Sequence, residues 1–440
     1  MDKMSCYKEK AVSYSHGKII CKSIYGLLIY IQILFVLFYR LFLQYGVPSG
    51  ISYLTDVINV ILLLGIIKSN KRMGKVRKLV FVYIALFVWG WFGALMYGLS
   101  VPLFLWSMRN NARYIVFVVA CAYYLKIEDF ESMLTFLQKL MPLETIFVAV
   151  QFFIYHYRGD YLGGIFGTVM GANLYTNLYM IFVVSYTMMR FLTGKDSLRK
   201  LVTIMIQVIG VAVLAELKFV FVEIIIIFGI AWLISKKDAK QIGKTIFIIV
   251  GGYIVISASL MYFNKIYPDF ENFLRLEFIF AVHEQGYSMS GDLDRLSAIP
   301  IITNKIFRND ITKILFGVGF GNAEYSSIRF LCSDFYNTYG YLHYTWFSDA
   351  MIYLESGLVG LIIYILSFIV IIFEAMKNYI GKKGNIELYG TVVIICIMSI
   401  ILMIYNQTLR TEAAYLIYFV VAAAFVKRDK ERTVLESYNE

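Results

Sequence analysis

Residues 346–373 read WFSDAMIYLESGLVGLIIYILSFIVIIF. A bilayer core of about 30 Å asks for about 20 apolar residues in one helix. This run supplies them, with its only charges, Asp349 and Glu355, close to its start. Working outward, eleven further runs have comparable character: 24–43, 51–67, 79–98, 110–125, 143–157, 174–192, 201–216, 219–235, 245–263, 389–405 and 412–426. The stretch 201–235 reads either as a hairpin or as one broken helix. The expected fold class is therefore all-α, a polytopic membrane bundle of about twelve spans.

Composition agrees. Of 440 residues, 60% are hydrophobic and only 16% charged, against about 25% charged in soluble domains. The mean hydropathy is +0.69. The formal charge of +11 does not call for nucleic acid, because cytoplasmic loops of membrane proteins collect Lys and Arg. Here the basic residues fall in alternate gaps. Lys68, Lys71, Arg72, Lys75, Arg77 and Lys78 crowd one gap, and Lys236, Lys237, Lys240 and Lys244 another. The gaps between hold little beyond Arg109, Arg113, Arg158, Lys218 and Arg410. That alternation places both termini in the cytoplasm, in a multi-pass protein of the cell membrane. No small-residue cleavage site follows the first run, which reads as an uncleaved helix.

The chain divides into a basic tail (1–23), nine spans (24–263), a large external loop (264–345), three last spans (346–426) and a second tail (427–440). Within the loop, DFENFLRLEFIFAVHE and LDRLSAIPIITNKIF space apolar residues as amphipathic helices do, with Pro268 and Pro300 marking bends. The five cysteines and four histidines are scattered, without the spacing of a zinc site or a disulfide framework, so neither is expected.

Charges at span ends need a reason, because a charge at the bilayer centre costs roughly 2.5–3.5 kcal/mol. Arg113, Lys218 and Arg410 all fall at the external level, as does Arg158. Individually each reads equally as a snorkelling side chain, or Glu216 and Lys218 as a local pair. Together they suggest a basic vestibule for an anionic ligand. The loop adds Arg275, Arg295, Arg308 and Arg329. Arg295 in SGDLDRLSAI follows a Gly-Asp turn at the start of an amphipathic helix. A guanidinium fork suits phosphate, and a solvated bridge to Asp292 or Asp294 is the competing reading. His343 precedes the tenth span. It reads as a cap or interfacial residue, or as a base, since neutral imidazole accepts a hydroxyl proton near neutral pH.

Gly317, Gly319 and Gly321 in LFGVGFGNAEYS have dinucleotide-like spacing but no surrounding strand or Rossmann unit and no Walker lysine. They are expected to shape the loop, turning the backbone tightly and bringing it near a ligand. Gly357 and Gly360 read as close helix packing. Tyr325, Tyr336, Tyr339, Tyr341 and Trp346 suit sugar faces, though an interfacial aromatic belt has the same composition.

The order DRLSAI, ILFGVGFGN, a histidine, then YLESGLVGLIIYI in a span, over residues 290–365, resembles the bacterial O-antigen polymerase and ligase family, integral membrane glycosyltransferases. AELKFVF and GGIFGTVMGANLYTNLY, within 160–225, resemble it less closely. The resemblance implies a GT-C-like membrane enzyme acting on undecaprenyl-pyrophosphate-linked oligosaccharide at the outer leaflet, without nucleotide or metal. It implies that Arg295, Lys218 and Arg113, with Arg158, Arg275 and Arg410 as further cations, hold the pyrophosphate and that His343 is the base. One difference is that family members usually carry the histidine nearer the ESG step, often followed by Asn. Here Tyr344 follows, and Trp346 stands nearer that place. The leading expectation is a polymerase that joins repeat units of O-antigen, capsule or exopolysaccharide with inversion, alongside a chain-length regulator in the membrane. A ligase that moves finished glycan to another acceptor shares donor and chemistry. A lipid-linked glycan flippase is the rival from another class, but it should carry charges deep in the bundle and related halves.

Overall fold

The computed structural model describes residues 24–69, 73–235, 251, 283, 285–288, 290–326, 328–381 and 385–426. Their secondary structure is helical, with no strand beyond one isolated antiparallel bridge, Tyr287 to Leu293. The ninth run, Arg275 and the first amphipathic loop segment up to His283 lie outside the described residues.

Five helices among the described residues are long and apolar enough to cross a membrane: Ser49–Ser69, Gly74–Tyr97, Ile127–Phe153, Ser348–Ile380 and Ile386–Tyr405. Ile24–Leu37, Phe219–Ile234 and Ala414–Phe425 are shorter but apolar. In chain order the main helices are α1 (Ile24–Leu37), α2 (Tyr39–Gln44), α3 (Leu54–Ser69), α4 (Arg77–Tyr97) and α5 (Val101–Tyr124). They continue with α6 (Ile127–Phe153), α7 (Ala172–Leu192), α8 (Leu198–Leu214) and α9 (Phe219–Ile234). After the loop come α10 (Ala298–Ile301), α11 (Ile311–Phe316), α12 (Asp334–Tyr339), α13 (Ser348–Ile380), α14 (Ile386–Tyr405) and α15 (Ala414–Ala422).

Three helices are central. Helices α7, α14 and α15 are buried along nearly their whole length, whereas α3 and α4 leave rows of Val, Ile, Leu and Phe exposed. That is the division expected between bundle interior and lipid-facing surface. Tyr83, Tyr364 and Tyr418 join hydroxyls inside the bundle, at 2.8 Å and 3.0 Å from Tyr418. Asn59 spans α3, α5 and α15 by donating to Tyr415 Oη at 2.7 Å and the Arg113 carbonyl at 3.2 Å. Buried polar groups need such partners where no water reaches them.

Several boundaries differ from the sequence reading. The stretch 201–235 is a hairpin, turning at Ala215–Lys218 with Glu216 at φ 55°. Helix α6 begins sixteen residues before the expected 143 and runs through Pro142. Its first half is amphipathic, burying Phe130, Met133, Leu134 and Leu137 while Lys139 faces out, so a loop-like charge density hides a packed helix. The decisive stretch, read as one span, is two helical pieces joined at Gly357, whose φ of 65° and ψ of −169° are not helical. Pro300 lies inside α10, within its first turn, where a missing N–H costs nothing, rather than at a bend. Helix α10 starts three residues beyond Arg295, which therefore sits in the preceding turn.

Candidate functional site

The cations that the sequence reading assigned to the external level separate into an open group and a closed one. The open group starts at the bridge between Tyr287 and Leu293, where the Leu293 N–H donates to the Leu342 carbonyl at 3.1 Å. This pairing lays the turn 292–295 against the turn that carries His343. His343 is not at a helix start. It has φ 52° and joins two short 3-10 turns ahead of α13. Its Nδ1 meets Asp292 Oδ1 at 2.5 Å, and its ring stacks on Trp346 with centroids 4.2 Å apart. Because a carboxylate accepts, Nδ1 is the donor in this contact, and in the neutral imidazole the lone pair is then on Nε2. His343 is 43% exposed, and Nε2 has no protein partner among the described residues. Ser288 Oγ donates to the other Asp292 oxygen at 3.1 Å, holding the carboxylate in place.

Arg295 makes no ion pair with Asp292 or Asp294. Asp292 is taken by His343, and Asp294 by the His283 ring and backbone, each at 2.9 Å. Arg295 instead donates through Nε to the Tyr405 carbonyl at 3.1 Å and lies 4.5 Å above the Tyr405 ring. Its two terminal nitrogens have no acceptor among the described residues. The Tyr405 ring stacks on Phe219, centroids 4.0 Å apart, and Phe219 follows Lys218. The stack thus brings the α8–α9 turn and Lys218 to the neighbourhood of Arg295. Next to it, Ser348 donates through both N and Oγ to the Asn406 carbonyl, fixing α13 to the end of α14.

The closed group is Arg113 and Arg410. Arg410 Nη2 contacts Glu324 Oε1 at 2.5 Å, with Glu355 Oε2 at 3.9 Å from Nη1. Burial alone would lower the Arg410 pKa, but the Glu324 and Glu355 carboxylates hold it above its ordinary value. Glu355 is fully buried and accepts from Ser107 Oγ and the Gly321 N–H, both at 2.8 Å. Arg113 donates to the Arg410 carbonyl at 3.1 Å and to Tyr114 Oη at 2.6 Å, and reaches Glu412 at 3.4 Å. The two cations therefore do converge, as the sequence suggests, but in a buried network supplied with acids. The open and closed groups meet at Tyr344, whose buried hydroxyl donates to the Ala323 carbonyl at 2.8 Å.

Arg158 stands apart. It donates to the Phe152 and Tyr157 carbonyls at 3.1 Å and 2.9 Å, and covers the ring of Phe152 in the last turn of α6. The three loop glycines approach helices rather than an open space. All have positive φ, 70°, 91° and 91°. A β-carbon at Gly317 would lie 2.5 Å from the Leu354 carbonyl oxygen, at Gly319 2.3 Å from Ala94 Cα, and at Gly321 2.4 Å from the Leu103 backbone. They key the loop into α13, α4 and α5, and in doing so aim the Gly321 N–H at Glu355.

Sequence reasoning missed Asp292 as the histidine's partner, gave Glu355 no role, and missed Glu324 and Tyr405 altogether. Glu355 had a signal, since an acid inside an apolar run is rarely idle. Among the described residues no group of three or more His, Cys, Asp or Glu side chains is placed to hold a metal ion. No protein-family model matches the chain, and no curated protein matches it.

Proposed function

We propose that the protein is a membrane glycosyltransferase that polymerises lipid-pyrophosphate-linked oligosaccharide repeat units at the outer leaflet of a bacterial cell membrane, in a GT-C-like bundle of about twelve spans. The observation that carries this reading is the His343–Asp292 pair at 2.5 Å, with the imidazole half-exposed and Arg295 in the same turn as Asp292. A carboxylate behind Nδ1 fixes the tautomer and steadies the ring, leaving Nε2 facing outward to accept a proton. In the proposed reaction a sugar hydroxyl of the acceptor attacks the anomeric carbon of the donor. Its proton passes to Nε2 as the new C–O bond forms. The bond from the anomeric carbon to the phosphate oxygen breaks, and its electron pair leaves with the lipid pyrophosphate. Attack from the side opposite the leaving group inverts the anomeric centre.

Arg295, with its free fork of terminal nitrogens, and Lys218 beside the same aromatic stack would stabilise the charge that grows on the pyrophosphate. Arg113 and Arg410 are already matched by acids and would hold the floor of the site rather than the substrate. Arg158 ties its loop to the end of α6. The test is purified protein in lipid, given lipid-linked repeat units and no nucleotide, and scored for chain growth. A ladder of products is the expected result. Absence of any glycosyl transfer would refute the reading, and transfer of one preformed glycan to a different acceptor would indicate a ligase.

A further inference from the structure

Helix α9 carries a buried acid that the proposed reaction does not use. Glu223 stands four positions after Phe219, on the same side of the helix and one turn further along from the stack with Tyr405. It is 1% exposed. Among the described residues its one partner is Asn177 of α7, 4% exposed, whose Nδ2 donates to Glu223 Oε1 at 3.1 Å. Two acceptors of this same pair, Glu223 Oε2 and Asn177 Oδ1, are buried with no partner. The other buried glutamates among the described residues are provided for. Glu324, Glu374 and Glu387 meet the cations Arg410, Lys78 and Lys195. Glu144 and Glu355 accept one donor on each oxygen: Ile165 N–H and Thr176 Oγ1 for the first, Gly321 N–H and Ser107 Oγ for the second. The charged and titratable groups around Glu223 have other contacts. On α7, Tyr179 donates to the Leu137 carbonyl and Arg190 pairs with Asp196. On α14, Tyr405 stacks on Phe219 and carries Arg295 over its ring. Glu216 and Lys218 lie in the turn ahead of α9.

Counting hydrogens decides the state of the pair. An ionised carboxylate only accepts, and an amide brings one acceptor and one NH2 donor group. With Nδ2 facing Oε1, both Oε2 and Oδ1 lack a donor. With the amide turned over, Oδ1 would face Oε1, two acceptors at hydrogen-bond distance. Either way the pair is short of one hydrogen. Buried polar atoms without partners and buried unpaired charges are both unfavourable, and one proton removes both faults. We infer that Glu223 is a buried proton-binding site, held as an un-ionised carboxylic acid whose O–H donates to Asn177 Oδ1 while Asn177 Nδ2 donates to Oε1. The result is a ring of two hydrogen bonds between α7 and α9. A proton needs no cavity, whereas a hard metal cation would need several more oxygens than these two. The ring seats α9 on α7 and so keeps Phe219 against Tyr405. This site does not depend on the glycosyl-transfer reading.

The test is infrared spectroscopy of the full-length protein in lipid at neutral pH, wild type against Glu223→Gln. The difference spectrum is expected to show a protonated carboxyl C=O stretch present only in wild type and shifted down in heavy water. Loss of a carboxylate band in its place overturns the inference. Thermal unfolding gives a second readout. The amide of Glu223→Gln can make both hydrogen bonds of the ring, so the variant should melt with wild type at about pH 4 and above it at neutral pH, because the unfolded chain gives up this proton at about 4.3 while the folded one keeps it. A wild type more stable than Glu223→Gln at neutral pH, or a variant that does not fold, overturns the proposal, since a neutral isostere should replace a neutral acid. Asn177→Leu removes the acid's partner and should lower Tm, and an unchanged Tm there rejects the ring. A wild-type Tm that falls when sodium is exchanged for choline, with Glu223→Gln indifferent, would assign the place to a metal cation and overturn the proton.

Discussion

His343 and Asp292 are separated by 51 positions in sequence and yet meet Nδ1 to Oδ1 at 2.5 Å. The contact is made by folding the turn 292–295 onto 340–343, so it joins the two ends of the loop segment that carries the glycines. Asp292→Asn should keep the shape of this contact and remove its charge. Glycosyl transfer should fall about 100-fold, within the range for a general base. His343→Ala should fall further, and the double variant should be no slower than His343→Ala. Initial rates of chain growth measure all three, and additive losses would contradict the paired role.

Arg295 is held by Nε on the Tyr405 carbonyl and by its face on the Tyr405 ring. An ammonium at this position loses both the planar stack and the fork. Arg295→Lys is therefore expected to be nearly as damaging as Arg295→Ala, about 100-fold in rate. Full-length polymer in cells carrying Arg295→Ala would show that the guanidinium has no part in the reaction.

Gly319 offers a purely mechanical prediction. Its φ of 91° and the Ala94 backbone 2.3 Å from any β-carbon leave no room for substitution. Gly319→Ala should lower stability by about 3 kcal/mol, read as a lower Tm in detergent. Gly210, which has nothing within 4 Å, is the control, and Gly210→Ala should leave Tm unchanged or raised.

The buried Arg410–Glu324 pair should respond asymmetrically. Arg410→Met alone strands Glu324 and should cost about 3–5 kcal/mol. Arg410→Met combined with Glu324→Leu should recover a large part of that loss. Comparing unfolding temperatures of the single and double variants checks this. A double variant no better than the single one would mean that the cation acts by more than matching acids.

On the turn between α7 and α8, Asp196 accepts from Arg190 and Lys200. Burial opposes ionisation, but these two cations outweigh it and lower the carboxyl below its ordinary 3.8. A lowered native value means that the stability it contributes is present above 3.8 and is lost as pH falls through the native value. Asp196→Asn should therefore unfold at lower temperature than wild type at pH 7, with the gap closing under acid. A gap independent of pH would contradict the ion-pair account.

The helices were legible because lipid demands long apolar runs, and α3, α7 and α14 lie close to where hydropathy puts them. What could not be read has physical causes. The start of α6 was hidden because Lys126, Lys139 and Pro142 look like a loop, whereas an amphipathic face can pack with its charges outward. The break in α13 was hidden because a glycine in a span looks the same whether it packs flat or turns the chain. In the site, the convergence of Arg113 with Arg410 was expected from the common level at which the span reading puts them. Their neutralisation did not, because Glu324 and Glu355 belong to other segments. Asp292 looked like a partner for Arg295 because they are three residues apart. The fold gives it to a histidine far along the chain instead.

The keyed glycines bear on how the loop ahead of α13 can move. Gly317 and Gly357 interlock α11 and α13 backbone against backbone, and Gly319 and Gly321 do the same toward α4 and α5. A strap fastened to three helices at main-chain distance cannot swing upward like a hinged cover, because opening would separate all three seams at once. The segment 317–321 therefore belongs to the bundle mechanically, and shifts only when α4, α5 and α13 shift with it.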